Sequence, residues 1–161
     1  LTAPEWRRDG CEDAAPFVSW DAAHLPLPDL PALLDARGAP RLDAYVNADQ
    51  STRLTDYARL DAAIVGVTGA DAALVDTGSV VLLHGEGRGR LVSLLPPIHV
   101  VLVRVDRLRA TLAEMIAAAP LLPRDSTNVV VVTGPSRTAD IEMSLTRGVH
   151  GPRLVHVVFV G

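Results

Sequence analysis

The sequence contains no lysine, and all 15 of its basic residues are arginines. A Walker A phosphate loop needs a lysine beside its glycines, and a Schiff base needs a lysine amine, so this chain can form neither. The single cysteine, Cys11, cannot form an intrachain disulfide, and one thiol cannot hold an iron–sulfur cluster or a cysteine-based zinc site. The five histidines are dispersed and show no metal-binding spacing. We therefore predict no cofactor and no metal in this chain.

Aromatic residues are also scarce, at 4% of the 161 residues, although apolar residues make up 48%. The core must then be built from valine, leucine, alanine and isoleucine, as in parallel sheets that helices cover. The net charge of −4 argues against a nucleic-acid interface, which requires an excess of basic residues. No apolar run reaches the length of a membrane span and no signal-peptide pattern is visible, so we expect a cytoplasmic protein without membrane contact. The chain begins at Leu1 rather than at a methionine, which leaves room for a missing upstream piece.

The distribution of prolines divides the chain into two parts. Half of the twelve prolines lie in residues 1–40, which we predict to be an extended, proline-rich N-terminal arm with one helical turn near residues 31–37. Trp6, Phe17 and Trp20 are expected to fix this arm to the main body, because large aromatic side chains gain from burial. Residues 41–161 have regular apolar patterns and are predicted to form the domain itself.

From residue 41 onward, continuous apolar runs alternate with segments of helical periodicity. The sequence predicts helices at 51–60, 70–75, 106–118 and 138–147, and strands at 42–46, 62–67, 79–84, 98–103, 128–132 and 155–160. Strands that alternate with helices indicate an α/β fold with a mostly parallel sheet. The four consecutive valines Val129–Val132 show no polar alternation, so this strand is expected inside the sheet with both faces covered.

The stretch from Thr133 to Pro152 carries the strongest functional signal. Its first residues place hydroxyl groups, a glycine and an arginine between a valine strand and a predicted helix. The free N–H groups and the dipole at a helix start attract anions, and an adjacent guanidinium strengthens that attraction. The sequence thus predicts an anion-binding site, whose members are Thr133, Gly134, Ser136, Arg137 and Thr138. The alternative is a well-capped helix whose arginine faces solvent.

Two acidic residues are the candidates for catalysis. Asp76, in the segment Asp76-Thr77-Gly78, would act as a general base or a nucleophile if it is buried. The alternative is that this segment is a plain turn into the next strand. Glu142 lies in the first turns of the predicted helix 138–147, where acids are also common for electrostatic reasons alone.

Five further residues are predicted to line a pocket. Thr77 and Gly78 adjoin the candidate acid, Gly85 and Glu86 belong to the segment HGEGRGR, and His150 lies in the loop GVHGP. Alternate glycines are typical of a flexible loop or of a close approach between backbone and ligand. Their spacing is not that of a dinucleotide-binding loop, so a nucleotide cofactor is not predicted.

Three segments of the sequence resemble one known family. They are GVTGADAALVDTGSVVLL, RLVSLLPPIHVVLVR and NVVVVTGPSRTADIEMSLTRGVHGPRLVHVV, in this order between residues 62 and 161. They resemble the LUD-domain family, the LutC-type lactate-utilisation proteins. The resemblance implies a three-layer αβα sandwich of the NagB/RpiA/CoA-transferase-like type. It also implies membership of a three-part system that oxidises L-lactate to pyruvate and whose iron–sulfur clusters reside in companion subunits. The family commonly has glutamate where this chain has Asp76, so the acid reaches one methylene less far.

One main hypothesis and two alternatives follow. The chain is expected to be an accessory subunit of an L-lactate oxidation system, with iron–sulfur companion subunits as partners, and to bind a small anion or a partner at its strand ends. By analogy of fold alone, the first alternative is a CoA- or sugar-phosphate-type transferase or isomerase. The second alternative is a non-catalytic scaffold. Under the main hypothesis the isolated chain oxidises no lactate, since it has no group that accepts electrons.

Overall fold

The computed structural model describes residues 15–47, 49–118, 126–139, 145–147 and 151–161, and within 137–139 and 145–147 only the backbone. Its strands in chain order are β1 (Phe17–Ser19), β2 (Val65–Gly69), β3 (Ala72–Leu74), β4 (Ser79–His84), β5 (Ile98–Arg104), β6 (Leu108–Arg109), β7 (Asn128–Val132), β8 (Arg137–Ala139), β9 (Leu145–Arg147) and β10 (Leu154–Val160). Its α-helices are α1 (Leu30–Ala36), α2 (Gln50–Asp61), α3 (Leu91–Leu94) and α4 (Leu112–Ala118). Short 3-10 helices occupy Ala22–His24 and Val105–Arg107. No helix among these residues is both long and apolar enough to cross a membrane.

A four-stranded parallel sheet forms the larger core. Its strands lie in the order β1-β2-β5-β10, and every neighbouring pair is parallel. The valine-rich strands bury side chains such as Val67 and Val101, and helices α2 and α3 add Leu60 and Val92 to the same cluster. Aliphatic strands that helices cover are typical of parallel sheets, because both faces must be dry. The predicted α/β fold class with a mostly parallel sheet is confirmed.

Helix α3 packs against β2 at Gly66. A Cβ atom at this position would overlap the carbonyl oxygen of Val92, and it would also lie 3.1 Å from a ring carbon of Pro96. The missing side chain therefore allows the helix backbone to approach the sheet closely, which is one of the positional uses of glycine in strands.

The predicted arm contributes directly to this sheet. β1 pairs with β2, and both Phe17 and Trp20 are buried, as the sequence led us to expect. The helical turn predicted near residues 31–37 is α1. Trp6 lies outside the described residues. An extended, irregular arm is thus the wrong description for residues 17–20. Phe17, Val18 and Ser19 form an edge strand, and Trp20 follows directly after it.

A second sheet is mixed and was not foreseen. Its order is β6-β3-β4-β7, with β4 antiparallel to both β3 and β7. The prediction that Val129–Val132 is an interior strand with both faces covered is therefore wrong. β7 lies at the edge of this sheet, and Val131 keeps 44% of its surface exposed. A short valine run forms a strand in either setting, since the residues that cover it are remote in sequence.

Two predicted helices are strands. The segment 70–75 contains β3, because its backbone pairs with β4 and the Asp71 carboxylate accepts a hydrogen bond from the Leu83 N–H at 2.8 Å. The segment 138–147 contains β8 and β9, which pair antiparallel with Thr138 opposite Thr146. Tertiary and cross-strand partners override local helical signals in both places. Residues 140–144 lie outside the described residues.

Other predicted elements shift or are confirmed. The helix expected from residue 106 begins only at Leu112, because the Thr111 side chain caps its start. The Thr111 hydroxyl accepts from the Glu114 N–H, and the Glu114 carboxylate accepts from the N–H of Ala110, the residue before the cap. The strand expected at 42–46 is irregular, with a single bridge between Phe17 and Arg41. The structure confirms helix 51–60 and the strands expected near 65, 79, 98, 128 and 155.

Candidate functional site

A cavity of about 870 Å³ opens at the carboxyl end of β1. Three segments enclose it: Ser19 and Asp21 at the end of the strand, the irregular segment 41–46, and most of the glycine-rich loop from Gly85 to Leu91. Ligands of open α/β sheets bind outside the carboxyl ends of strands, and 300–1,000 Å³ is the usual range for such sites. This cavity is the candidate functional site.

Helix α2 holds the segment 41–46 in place. The Arg59 guanidinium donates hydrogen bonds to the carbonyl oxygens of Asp43 and Tyr45, and it forms an ion pair with Asp56 at 3.1 Å. Asp56 in turn accepts a hydrogen bond from the Asn47 N–H at 2.9 Å. These contacts fix an irregular backbone on one side of the cavity, and the cavity owes its shape to that position.

The loop after β4 forms the opposite side. The Asp71 carboxylate lies 3.4 Å from the Arg88 guanidinium, and Gly85 and Arg88 exchange backbone hydrogen bonds across a tight turn. The Asp21 N–H donates to the Gly87 carbonyl, and a Cβ atom on Gly87 would lie 2.6 Å from the Asp21 carboxylate. Glycine at position 87, with its φ of +66°, therefore allows the loop to contact the end of β1.

Buried aromatic and imidazole side chains lie behind this contact. The Trp20 indole N–H donates to the Gly89 carbonyl at 3.2 Å, and the indole ring meets the His84 ring edge-on at 5.8 Å between centroids. Burial lowers the pKa of His84, the nearby backbone of Asn128 acts weakly in the opposite direction, and neither ring nitrogen makes a hydrogen bond of good geometry among the described residues. A second imidazole, His99, hydrogen-bonds Thr68 at 2.9 Å, and burial together with the nearby His84 lowers its pKa to about 4. Both rings are therefore neutral near pH 7.

Some of the predicted pocket residues meet in this structure. Gly85 and Glu86 line the cavity. Thr77 and Thr133, from two separate predicted segments, are joined through the Ser79 hydroxyl, which lies 2.8 and 2.9 Å from their hydroxyl oxygens. These hydroxyls lie at the end of the mixed sheet where β4 begins and β7 ends, and they do not line the cavity.

The candidate acid Asp76 lies elsewhere. It is exposed in the turn between β3 and β4, where its N–H donates to the Ala110 carbonyl and Gly78 adopts a φ of +65°. The plain-turn alternative describes this segment, and the condition of burial that we set for catalysis by Asp76 is not met. The second candidate acid, Glu142, and the pocket candidate His150 lie outside the described residues.

The predicted anion-binding loop is described only in part. Thr133 and Gly134 are exposed, and the Ser136 N–H donates to the Pro152 carbonyl at 2.8 Å. No helix starts there, because Arg137 opens strand β8, so the helix dipole is not available to an anion. The side chains of Arg137 and Thr138 lie outside the described part of the chain, and anion binding at this loop stays a prediction.

Comparison with known proteins identifies the family. The family described as the LUD domain matches residues 18–160. The chain belongs to the LUD domain family. A lactate utilization protein C from Geobacillus sp. (strain WCH70) is 35% identical over 146 residues, which are 85% of this chain and 58% of that protein. One from Deinococcus radiodurans is 33% identical over 156 residues, covering 91% of this chain and 74% of that protein. This LUD domain therefore spans little more than half of the Geobacillus relative.

A solved structure agrees with the fold. The crystal structure of a DUF162 family protein from Deinococcus radiodurans is 29% identical, has a TM-score of 0.53, and covers 92% of this chain and 88% of its own. The resemblance noted in the sequence is confirmed. The family match begins at residue 18, within the segment 1–40 that was predicted to precede the domain.

Most residues around the cavity of this LUD domain were not predicted from the sequence, namely Ser19, Asp21, the segment 41–46 and Arg90. The signal for β1 was present, since the run Phe17-Val18-Ser19-Trp20 follows a proline and ends at an acid, which is typical of a short buried strand. Among the described residues no group of three potential metal ligands comes together. The absence of a resident cofactor stays a prediction.

Proposed function

We propose that this LUD domain acts in lactate utilisation as a subunit that binds a small anion or a companion subunit at its strand ends and holds no redox centre. The observation that carries this proposal is the 33% identity to a lactate utilization protein C over 91% of the chain. The cavity at the carboxyl end of β1 supports it, because that is where open α/β sheets bind ligands. The single cysteine supports companion subunits as the place of any iron–sulfur cluster.

The proposal predicts a division of labour that can be measured. The isolated chain with L-lactate and an artificial electron acceptor should form no pyruvate, because it offers no group that accepts electrons. Pyruvate should form when the iron–sulfur companion subunits of a lactate-utilisation system are added. The control contains the companion subunits alone, and steady turnover by the isolated chain would contradict the proposal.

The structure bears on the first alternative, and the same assay tests the second. A transferase or isomerase of the CoA or sugar-phosphate type needs a carboxylate that faces a cleft, and Asp76 lies in an exposed turn instead. No described feature favours that alternative. A scaffold would restore pyruvate formation equally well with and without substitutions at Ser19 or Arg90, which line the cavity.

A further inference from the structure

We propose that the cavity beside β1 binds a small monocarboxylate with an oxygen on its second carbon, that is, a 2-hydroxy or 2-oxo acid. Ser19 would receive the carboxylate, and Arg41 and Arg90 would hold its charge. This inference deepens the proposed function, from which it takes the ligands to be tested.

The first support is the backbone of Ser19. In β1 the Trp20 N–H donates to the Val67 carbonyl of β2, so the peptide groups of Ser19 point to the other edge of the strand. At Phe17 that edge is paired, because Phe17 bonds the Pro40 carbonyl and the Leu42 N–H. Beyond Leu42 the segment departs from β1, and the Ser19 N–H and carbonyl have no partner among the described residues. A buried edge with unpaired peptide groups calls for a ligand or for water.

The second support is the Ser19 side chain. Ser19 lines the cavity and is 2% exposed, yet its hydroxyl has no hydrogen-bond partner in the described part of the chain. Buried hydroxyls are almost always hydrogen-bonded, and one without a partner requires an explanation. The N–H and the hydroxyl of one residue form a pair of donors that suits a carboxylate.

The third support is the charge around the cavity. Arg41 and Arg90 line it, and neither side chain forms an ion pair or a hydrogen bond with another described residue. Three carboxylates also line the cavity, namely Asp21, Asp43 and Glu86, so the five charges sum to −1. The negative sum disfavours a polyphosphate far more than a monoanion, whose carboxylate would lie against the arginines and away from the acids. The second oxygen of the ligand would donate to an acid as a hydroxyl, or accept from an arginine as a ketone.

The apolar part of the lining favours an organic anion over an inorganic one. Leu42, Val46 and Leu91 line the same cavity, which gives the carbon chain of the ligand a place to pack. Phosphate has no apolar group, so it would leave the apolar lining of the cavity in contact with water. A 2-hydroxy acid with a longer carbon chain should therefore bind at least as tightly as lactate.

Titration calorimetry on the purified chain tests this inference. L-lactate and pyruvate should bind, propionate should bind more weakly because it lacks the second oxygen, and inorganic phosphate should not compete. Arg90→Gln should weaken binding about tenfold to a hundredfold, because it removes a charge-assisted contact. Ser19→Ala should weaken it about fivefold to tenfold, since one neutral hydrogen bond is lost. The matched control is Arg107→Gln, which removes an exposed arginine that does not line the cavity. Unchanged thermal midpoints would show that the variants remain folded.

Three outcomes would overturn the inference. The first is no saturable heat from lactate or pyruvate with the unmodified chain. The second is equal affinities for the unmodified chain, Arg90→Gln and Ser19→Ala. The third is a loss with Arg137→Gln alone, which would move the ligand to the loop after β7. The outcome of the pyruvate assay with companion subunits does not depend on any of these binding results. Failure of the site and failure of the proposed function can therefore be told apart.

Discussion

Gly66 shows how a single residue can set the distance between two layers. Its missing side chain lets the carbonyl of Val92 in α3 lie against β2. A backbone atom cannot rotate away as a side chain can, so the sheet or the helix must move if a methyl group is added.

Gly66→Ala should therefore lower the free energy of unfolding by about 2 kcal/mol or more. Urea denaturation followed by circular dichroism measures this loss. The matched control is Gly89→Ala, where the nearest atom to an added Cβ is 3.9 Å away and little change is expected. Equal stability of the two variants would contradict the close approach.

At this scale the sequence identified functional residues only where local chemistry is distinctive. Gly85 and Glu86 were found because alternate glycines mark a backbone contact, and they do line the cavity. Ser19 was not found, because an isolated serine in an apolar run gives no sign that its hydroxyl and its peptide groups lack partners. That property depends on where residues 41–46 leave β1, which is a tertiary event.

Strand β7 illustrates the same limit for whole elements. Val81 and Val131 face each other across the β4–β7 ladder, yet Val81 is fully buried and Val131 is 44% exposed. Both belong to valine-rich runs that look alike in the sequence. Their difference arises because β4 has a neighbour on each side while β7 lies at the sheet edge.

This pair of valines provides a test of the strand order. Val81→Thr should cost about 1–3 kcal/mol of unfolding free energy, because it buries a hydroxyl and removes a methyl group from the core. Val131→Thr should cost less than about 0.5 kcal/mol, as for most surface substitutions. Denaturant titrations of both variants give the comparison. A larger loss at Val131 than at Val81 would show that β7 is not the edge strand.

Strands of continuous apolar residues were easier to predict than helices. β4, β5 and β7 begin at the residues expected from the sequence, because β-branched runs bounded by turns have few other solutions. The predicted helix at 138–147 rested on a polar start and a glycine stop, and β8 and β9 pair there instead. Such cap signals are weak where two strands can satisfy their peptide groups by pairing with each other.

Across the whole molecule, two buried imidazoles couple stability to pH. His99 is fully buried in β5 and its pKa is lowered from 6.5 to about 4. The unfolded chain therefore binds more protons than the folded chain between about pH 4 and 6.5. The stability that comes from keeping His99 neutral is fully present above about pH 6.5 and is lost as the pH falls towards 4. The lowered pKa of His84 acts in the same direction.

Acidification from about pH 7.5 to about pH 5 should thus cost the folded state about 2 kcal/mol through His99, at 1.4 kcal/mol per pH unit. His99→Gln keeps a polar group beside Thr68 but cannot titrate, so its stability should fall less over this interval. Chemical denaturation at both pH values measures the two losses. Parallel losses in the two proteins would show that His99 titrates normally in the folded state.

The division into two sheets could not be predicted from the sequence. Apolar runs identify strands, but the partner of each strand is set by contacts between residues far apart in the chain. β2, β5 and β10 were expected in one parallel sheet with β4 and β7 beside them, whereas β1 was not expected to be a strand at all. Instead β3 and β4 pair antiparallel through a short turn, which parallel strands could not do, and β4 and β7 therefore belong to the second sheet.

The position of Trp20 gives the molecule an optical property. Trp20 lies between Ser19 and Asp21 in the sequence, its indole donates a hydrogen bond to the carbonyl of Gly89, which lines the cavity, and the ring meets His84 edge-on. Indole fluorescence responds to the loss of such a bond, and it is quenched by a protonated imidazole in contact with the ring. A Trp6→Phe variant would leave Trp20 as the only indole of the chain. Its emission would then follow both the filling of the cavity and the charge of His84, without any attached dye.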